Sequence, residues 1–356
     1  MTEKPKIVIA MSGGVDSSVA AALLKERGHE VVGISLQLWN YSGESDNRFG
    51  TCCSLDDLSD ARRVAHKIDI PFYVLNLESE FRAEVVDYFV DEYLQGRTPI
   101  PCTLCNQKLK FDRLFQKAEA FGIERVATGH YASIVQVDGR YTIRRGEDRT
   151  RDQSYFLFNL SQSQLSRLEF PLADMAKTEV RRIATELDLV VAQKSESREI
   201  CFVPDNNYAK FVASEAPHAF AEGEIVDKSG AVLGRHGGYP AFTIGQRKGL
   251  NIGGLKEPHF VTGIDPESNR ITVGPKDDLI ASEFYVSRAN WCLDVTGPVE
   301  AEVQIRYRHS AAPAEVTPLE NGRAKVSFYD PQLSITPGQA AVFYKDDCIV
   351  GGGWIE

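Results

Sequence analysis

The feature that most constrains this chain is a run near its start, Ser12-Gly13-Gly14-Val15-Asp16-Ser17-Ser18. Ile7-Val8-Ile9-Ala10-Met11 precedes it and reads as a buried strand. Behind it, Val19, Ala20, Leu23 and Leu24 recur at helical spacing, and Gly28 closes the helix as a C′ glycine. The run is therefore a strand-to-helix turn. Gly13 and Gly14 allow a tight bend and a close approach to a ligand. The N–H groups of the turn and helix start point outward, where a phosphate accepts them. Ser12, Ser17 and Ser18 add hydroxyl donors, and Asp16 adds a carboxylate suited to capping the helix or organising a metal.

A Walker-type loop needs a Lys after its second Gly, and none stands here. The kinase-like and GTPase-like readings lose ground accordingly. The stretch Ser12-Gly13-Gly14-Val15-Asp16-Ser17 resembles instead the pyrophosphate loop of the ATP pyrophosphatases, which cleave ATP to AMP and pyrophosphate.

The first half of the chain continues the alternation of strand and helix. Strands are expected at Val31 to Leu36, Phe72 to Leu77 and Arg125 to Thr128. Helices are expected from Ser54 towards Ile68, around Phe81 to Leu94, and from Gln107 to Phe121, with a Pro-rich turn over Arg97 to Pro101. Such alternation predicts an α/β fold with a doubly wound parallel sheet, with ligands at the carboxyl ends of the strands, where Ser12, Leu36 and Gly129 fall. A hairpin turning at Asp138-Gly139 interrupts the pattern. Helices follow around Ser163 to Leu168 and Thr178 to Leu187. After about residue 205 the texture changes, with a short hairpin over Glu224 to Leu233, and from Glu283 onward the pattern is all-β, a small barrel or sandwich. The expected division is 1–205, an ATP pyrophosphatase domain; 206–278, a small central domain; and 279–356, a C-terminal β-barrel.

Composition excludes little and agrees with this. With 43% hydrophobic and 25% charged residues the chain has an ordinary globular balance. It has no apolar run long enough to span a bilayer and no signal-peptide pattern. Seven cysteines, an odd number, then suit reduced thiols and a cytoplasmic location. A net charge of -10 does not advertise nucleic acid binding, so an RNA partner needs local basic patches. Four are visible: Arg144, Arg145, Arg149 and Arg151; Lys108, Lys110 and Arg113; Arg247 and Lys248; Arg306 and Arg308. His66, His218, His236, His259 and His309 show no ligand spacing.

Cys102-Thr103-Leu104-Cys105 lies between the Pro-rich turn and a helix, where the helix end favours the thiolate. On spacing alone it is a redox pair, half a zinc site or chance. The second pair of a zinc ribbon is missing, and Cys52, Cys53, Cys292 and Cys348 read as packing residues. Cys201 follows Glu196-Ser197-Arg198-Glu199-Ile200.

Taken in order, Ser12 to Ser18, Cys105-Asn106 with Leu109-Lys110-Phe111, Ala127-Thr128-Gly129-His130-Tyr131-Ala132, Asp152 to Leu157, Glu196 to Asp205, Thr243 to Leu250 and Pro337 to Tyr344 resemble the bacterial tRNA-specific 2-thiouridylases, a branch of the ATP pyrophosphatase superfamily. The resemblance extends from about residue 6 to the C-terminus. It implies a sulfurtransferase that uses ATP and Mg2+ to adenylate the carbon-2 oxygen of the wobble uridine of a tRNA. A cysteine persulfide then inserts sulfur, giving 2-thiouridine, AMP and pyrophosphate. The nucleotide site maps to Ala10, Met11, Ser12, Gly13, Gly14, Val15, Asp16 and Ser17, with Leu36 and Gly129; Ala10 replaces a common Gly. Cys105 maps to the family nucleophile and Cys201 to the persulfide carrier, with Asp16 as helper to the metal. Ile100, Pro101 and Cys102 map to the segment that meets the target base. His130, Arg151, Asp152, Gln153, Arg306, Tyr307 and Gln339 map to tRNA contacts. A sulfur donor protein, such as a cysteine desulfurase or a sulfur carrier, is the implied partner, with no membrane.

One departure stands out. Many members carry Asn-Pro-Asp where this chain has Ile100-Pro101-Cys102, which puts the acid-base role of that Asp in doubt. It also makes a three-thiol set, Cys102, Cys105 and Cys201, suited to a [4Fe-4S] cluster with one iron open to sulfide. On that scheme a Cys105–Cys201 disulfide bond is an oxidation product and not a step. Two other functions compete: an ATP pyrophosphatase acting on a small molecule, against which the thiols argue, and a non-catalytic metal or redox module with a vestigial loop, against which Asp16 and the serines argue.

Overall fold

The computed structural model describes residues 4–39, 55–195, 200–203, 206–254 and 257–356. Cys52 and Cys53 lie outside them. The chain opens with β1 (Lys6–Ala10), α1 (Val15–Glu26), β2 (Glu30–Gln37), α2 (Leu55–Lys67) and β3 (Phe72–Asn76). A helix over 78–94, α3, contains a π-helical turn at Arg82–Val86, and a second over 101–120, α4, contains another at Cys105–Phe111. Then come β4 (Arg125–Ala127), the hairpin β5 (Ala132–Val137) and β6 (Arg140–Arg145), the short helix α5 (Gln162–Leu165), β7 (Leu168–Glu169) and α6 (Lys177–Glu186).

Strands β3-β2-β1-β4-β7 form one parallel sheet in that order. β1 shows why it is central. Ile7 and Ile9 pack into one buried layer and Val8 into the layer on the opposite face. A strand buried on both faces reads as the continuous apolar run seen in the sequence. The chain winds outward from β1 to β3, then returns to β4 on the other side of β1. The crevice above the carboxyl ends of β1 and β4 is thus the topological switch point.

After α7 (Tyr208–Glu215), strands β8 (Gly223–Val226), β9 (Val232–His236), β10 (Phe260–Asp265) and β11 (Arg270–Gly274) make a four-stranded sheet ordered β10-β11-β8-β9. It has its own core of Ile225, Tyr239, Phe242, Leu250, Val261, Ile271 and Val273. Tyr208 stacks on Tyr93 of α3 at 4.7 Å, and Tyr239 Oη donates to Leu94 O at 2.8 Å. The final strands are β12 (Ile280–Trp291), β13 (Val299–Gln304), β14 (Ala312–Leu319), β15 (Arg323–Leu333), β16 (Ala340–Lys345) and β17 (Cys348–Ile355). They run β12-β15-β14-β13-β16-β17, and pairing of β12 with β17 closes them into a barrel. Closure removes the open edges that a sandwich would leave.

The hairpin β5–β6 attaches to this barrel through pairing of Arg144 with Cys348. An apolar cluster runs from Val8 and Phe89 of the α/β region to Ala340, Tyr344 and Trp354 of the barrel without a break. Among the described residues, no helix is long and apolar enough to cross a membrane.

Candidate active site

The loop between β1 and α1 is held by its own serines. Ser12 N donates to Ser17 Oγ at 3.1 Å, and Ser17 and Ser18 hydroxyls donate to Gly14 O at 3.2 and 2.8 Å. Two glycines are obligatory here. Gly13 has φ +74°, and a Cβ on it would sit 2.1 Å from Asp57 O of α2. A Cβ on Gly129 would meet Ser17 N at 2.8 Å and the Asp16 carbonyl carbon at 2.9 Å, so the β4 end approaches the first turn of α1 as closely as backbone can.

Asp16, in that first turn, is clamped from two sides. Tyr131 Oη donates to Oδ1 at 2.7 Å, and Lys177 Nζ lies 2.7 and 2.8 Å from Oδ1 and Oδ2. Lys177 is buried at the start of α6, and it places a cation beside a loop that lacks the Walker lysine. A second cation, Lys194, donates to Gly13 O at 3.1 Å, to Asp57 Oδ1 at 2.7 Å and to Asp60 Oδ2 at 2.6 Å. Burial opposes its charge, but the bonds to Asp57 and Asp60 outweigh that and hold the ammonium above its usual range. Sequence reasoning passed over Tyr131, Lys177 and Lys194 because their partners lie more than a hundred residues away; the absent Walker lysine was the one signal that a remote cation was needed.

The thiols divide unequally. α4 begins at Pro101, a proline at the first helical position, so the expected turn over Arg97 to Pro101 ends one residue inside a helix. Cys102 is exposed in the first turn; Cys105 is buried and opens the π-helical segment. Cys105 belongs to the apolar cluster that also contains Leu36 and Leu38, and Cys201 and Ala10 pack against that cluster. Phe202, next to Cys201, is fixed among Phe81, Phe89, Phe211 and Trp39 with ring centroids 5.1 to 6.2 Å apart. At the barrel, burial first, then the charge of Asp152, raise the Tyr307 phenol, with Cys102 adding least. For the expected three-thiolate cluster site, no group of three His, Cys, Asp or Glu side chains placed to hold a metal is found among the described residues. Cys292 is buried with its thiol pushed up to about 12, and burial raises Cys348 as well, in line with packing roles.

Several residues expected to meet tRNA have internal partners. Asp152 is buried and accepts from Gly146 N at 2.9 Å, Ser154 Oγ at 2.7 Å and Arg145 at 3.4 Å. Gln153 pairs with the backbone of Tyr131, accepting at Oε1 and donating from N, both at 3.0 Å, so it positions the tyrosine that holds Asp16. His130 is buried, with Phe111 and Phe170 at 6.0 and 5.9 Å and Nδ1 2.7 Å from Thr128 Oγ1. Burial, with Lys110 adding, lowers its pKa to about 3, so the ring is neutral. Gln339 Nε2 donates to Thr98 O at 2.9 Å, fastening the barrel to the approach of α4. Ile100 and Pro101 are buried. In the 144–151 basic patch, Arg145 lies 3.6 Å over Tyr344 and Arg149 bridges Asp347 at 2.9 and 2.5 Å. Arg151 is half-buried, and Arg306 and Tyr307 sit at the barrel rim, Tyr307 36% exposed against Phe156 at 4.4 Å.

Comparison with known proteins agrees with this layout. A family model described as "tRNA methyl transferase HUP domain" matches residues 5–205, a "tRNA methyl transferase PRC-barrel domain" matches 209–275, and an "Aminomethyltransferase beta-barrel domain" matches 281–355. The chain is 53% identical over 365 residues to a tRNA-specific 2-thiouridylase of Geobacter metallireducens, covering 100% of this chain and 98% of that protein. It is 52% identical over 358 residues to a tRNA-specific 2-thiouridylase of Clostridium perfringens, covering 100% and 99%. A solved 4-thiouridine synthetase–RNA complex aligns with a TM-score of 0.36 at 16% identity, over 60% of this chain and 50% of that one.

Proposed function

The chain belongs to the tRNA-specific 2-thiouridylase family, and from that premise we propose how its residues share the work. The protein is an ATP-dependent tRNA-uridine 2-sulfurtransferase. The family models carry descriptions of methyl transfer, but methyl transfer needs neither an ATP-cleaving loop nor a thiol pair, and this chain has both. The observation that carries the assignment of roles is the single apolar cluster shared by Leu36, Ala10, Cys105 and Cys201. Both thiols border the same core as Ala10 and Leu36, residues at the carboxyl ends of β1 and β2, which supports their acting beside the nucleotide.

The wobble uridine of a tRNA is the substrate in this reading. Its O2 attacks the α-phosphorus of ATP and pyrophosphate leaves, converting a poor leaving oxygen into a good one. Mg2+ would neutralise triphosphate charge when bound, and Asp16, 31% exposed and held in place by Lys177 and Tyr131, is the loop carboxylate that would reach it. The serine hydroxyls and N–H groups of residues 12–17 receive the pyrophosphate end. The terminal sulfur of a persulfide on Cys201 then attacks C2, and O2 departs with AMP. The Cys105 thiolate attacks the Cys201 sulfur and breaks the S–S bond. Sulfur stays on the base, and the resulting Cys105–Cys201 disulfide is reduced by an external thiol. The persulfide sulfur comes from a cysteine desulfurase or a sulfur carrier protein. No step runs through an iron-sulfur cluster.

The test is direct. Purified protein, ATP, unmodified tRNA and a persulfide donor are combined, and AMP and 2-thiouridine are measured by chromatography and nucleoside mass spectrometry. AMP formation that depends on tRNA and matches the 2-thiouridine made supports the reading. AMP formation indifferent to tRNA would assign the chain to small-molecule chemistry.

A further inference from the structure

We infer that Lys194 is a positioning residue for the nucleotide loop: it latches the Gly13–Gly14 peptide in the orientation that turns the Gly14 N–H towards the pyrophosphate. The argument rests on the reading of residues 12–17 as a pyrophosphate site.

A trans peptide is planar, with its C=O and N–H pointing in opposite directions. Lys194 Nζ bonds Gly13 O at 3.1 Å, so the N–H of the same peptide, on Gly14, is directed away from Lys194. Gly14 is the N-cap of α1, the position from which a helix offers its N–H groups to an anion. A peptide between two glycines turns over at small steric cost, because neither residue has a Cβ. Gly13 is already at φ +74°, where the mirror conformations are equally open to it. Something outside the loop must choose one orientation, and Lys194 is the side chain bonded to the carbonyl.

The latch is itself rigidly held. The three N–H donors of the ammonium match its three acceptors, Gly13 O, Asp57 Oδ1 and Asp60 Oδ2. The two carboxylates belong to α2, whose Asp57 carbonyl closes over Gly13 from the same side. The backbone of Lys194 is pinned as well: Arg181 of α6 donates to Ala192 O at 3.1 Å and to Lys194 O at 3.2 Å. Arg181 stands one helical turn after Lys177, which grips Asp16, so one helix fastens the loop from both ends.

Binding of ATP and of adenosine is measured by calorimetry on the full chain, for wild type, Lys194→Met, Lys194→Arg and Asp60→Asn, with thermal melts alongside. Met keeps the aliphatic stem and removes the donors. Losing one oriented N–H to a charged phosphate predicts about tenfold weaker ATP binding in Lys194→Met. Adenosine, which lacks phosphates, is expected to bind as in wild type. Lys194→Arg recovers part of the ATP affinity, and Asp60→Asn keeps most of it because Gly13 and Asp57 still hold the lysine. Wild-type ATP affinity in Lys194→Met, or equal losses for ATP and adenosine, overturns the latch. A wild-type protein with no preference for ATP over adenosine overturns instead the pyrophosphate reading of the loop.

Discussion

Lys177 and Asp16 stand 161 residues apart in the chain, yet the Lys177 ammonium lies 2.7 and 2.8 Å from the two Asp16 carboxylate oxygens. The lysine side chain is 9% exposed and the aspartate 31%. The pair therefore sits at the lip of the nucleotide crevice, with the cation inside and the anion towards the opening. Removing Asp16 to Ala would strand a buried cation, at a cost of several kcal/mol. Asp16→Asn is the cleaner variant, since its amide oxygen still accepts from Lys177. We expect Asp16→Asn to be less destabilising than Asp16→Ala, while tRNA-dependent AMP formation falls about a hundredfold, the scale of losing a preorganised charge that acts through the metal on a reacting phosphate. AMP formation at the wild-type rate would separate Asp16 from the chemistry.

Tyr131→Phe removes one hydrogen bond to the same carboxylate and nothing else of comparable size. A bond to a charged group is worth roughly 1.5–3 kcal/mol, so AMP formation is expected to drop at least tenfold. Gln153→Ala, which removes the side-chain acceptor of the Tyr131 N–H and leaves the backbone bond to Tyr131 O, is expected to act in the same direction and not to add fully to Tyr131→Phe, because both work through one residue. Full additivity in the double variant's AMP rate would show that Gln153 acts elsewhere.

His130 makes a pH prediction with a definite sign. Burial lowers its pKa from an ordinary 6.5 to about 3 in the folded chain. Between those values the unfolded chain holds a proton that the folded chain does not, so stability is full above pH 6.5 and is lost as pH falls towards 3. His130→Asn is expected to reduce the slope of unfolding free energy against pH in that window by about 1.4 kcal/mol per unit, read from urea melts. A neutral ring also adds no ionic contact, so the salt slope of tRNA binding should not change in this variant. An unaltered stability slope would place the charge-suppressing burial elsewhere.

The thiol roles are separable. Cys105→Ser and Cys201→Ser are each expected to abolish 2-thiouridine, while Cys201→Ser still yields AMP when tRNA is present, since adenylation precedes sulfur transfer. Retained 2-thiouridine in either variant, by nucleoside mass spectrometry, would remove that cysteine from the reaction.

Much of this was legible in the chain because it is local. The run Ile7 to Met11, the loop and the helix after it are adjacent in sequence, and the strand–helix alternation placed the switch point where Ser12 and Gly129 meet. The barrel strands announced themselves by alternation and by turns such as Asn321-Gly322. Other features left no local trace. β7 is two residues long, and its first residue falls at the end of the helix expected around Ser163 to Leu168, because it is made a strand only by β4 beside it. Strands β10 and β11 were not foreseen, since their segment mixes Gly, Pro and charge with few alternations. The start of α4 was placed six residues late: Pro101 looks like a turn residue but sets the backbone angle of a first helical turn. Gln339 shows the same limit in the site. Its sequence surroundings say nothing of Thr98, to which its amide is bonded.

Cys102 decides between the two sulfur-transfer schemes. Spacing in Cys102-Thr103-Leu104-Cys105 puts both residues on one face of a helix, which is why a shared metal was an attractive expectation. The fold separates them in depth: Cys105 is buried in the apolar cluster that Cys201 also packs against, and Cys102 is exposed in the first turn of α4. A cluster needs its three thiolates to converge, and a serine in place of one is a poor ligand for soft iron. In the two-cysteine scheme Cys102 lines the approach to the site and takes no covalent part. Cys102→Ser is therefore expected to make 2-thiouridine in air, without added iron, at no less than about a third of the wild-type rate, a loss below 1 kcal/mol. Wild type reconstituted anaerobically with iron and sulfide serves as the comparison. Broad absorption near ~400 nm that appears in wild type and vanishes in Cys102→Ser, together with loss of thiolation, would restore the cluster and require Cys102 to turn inward.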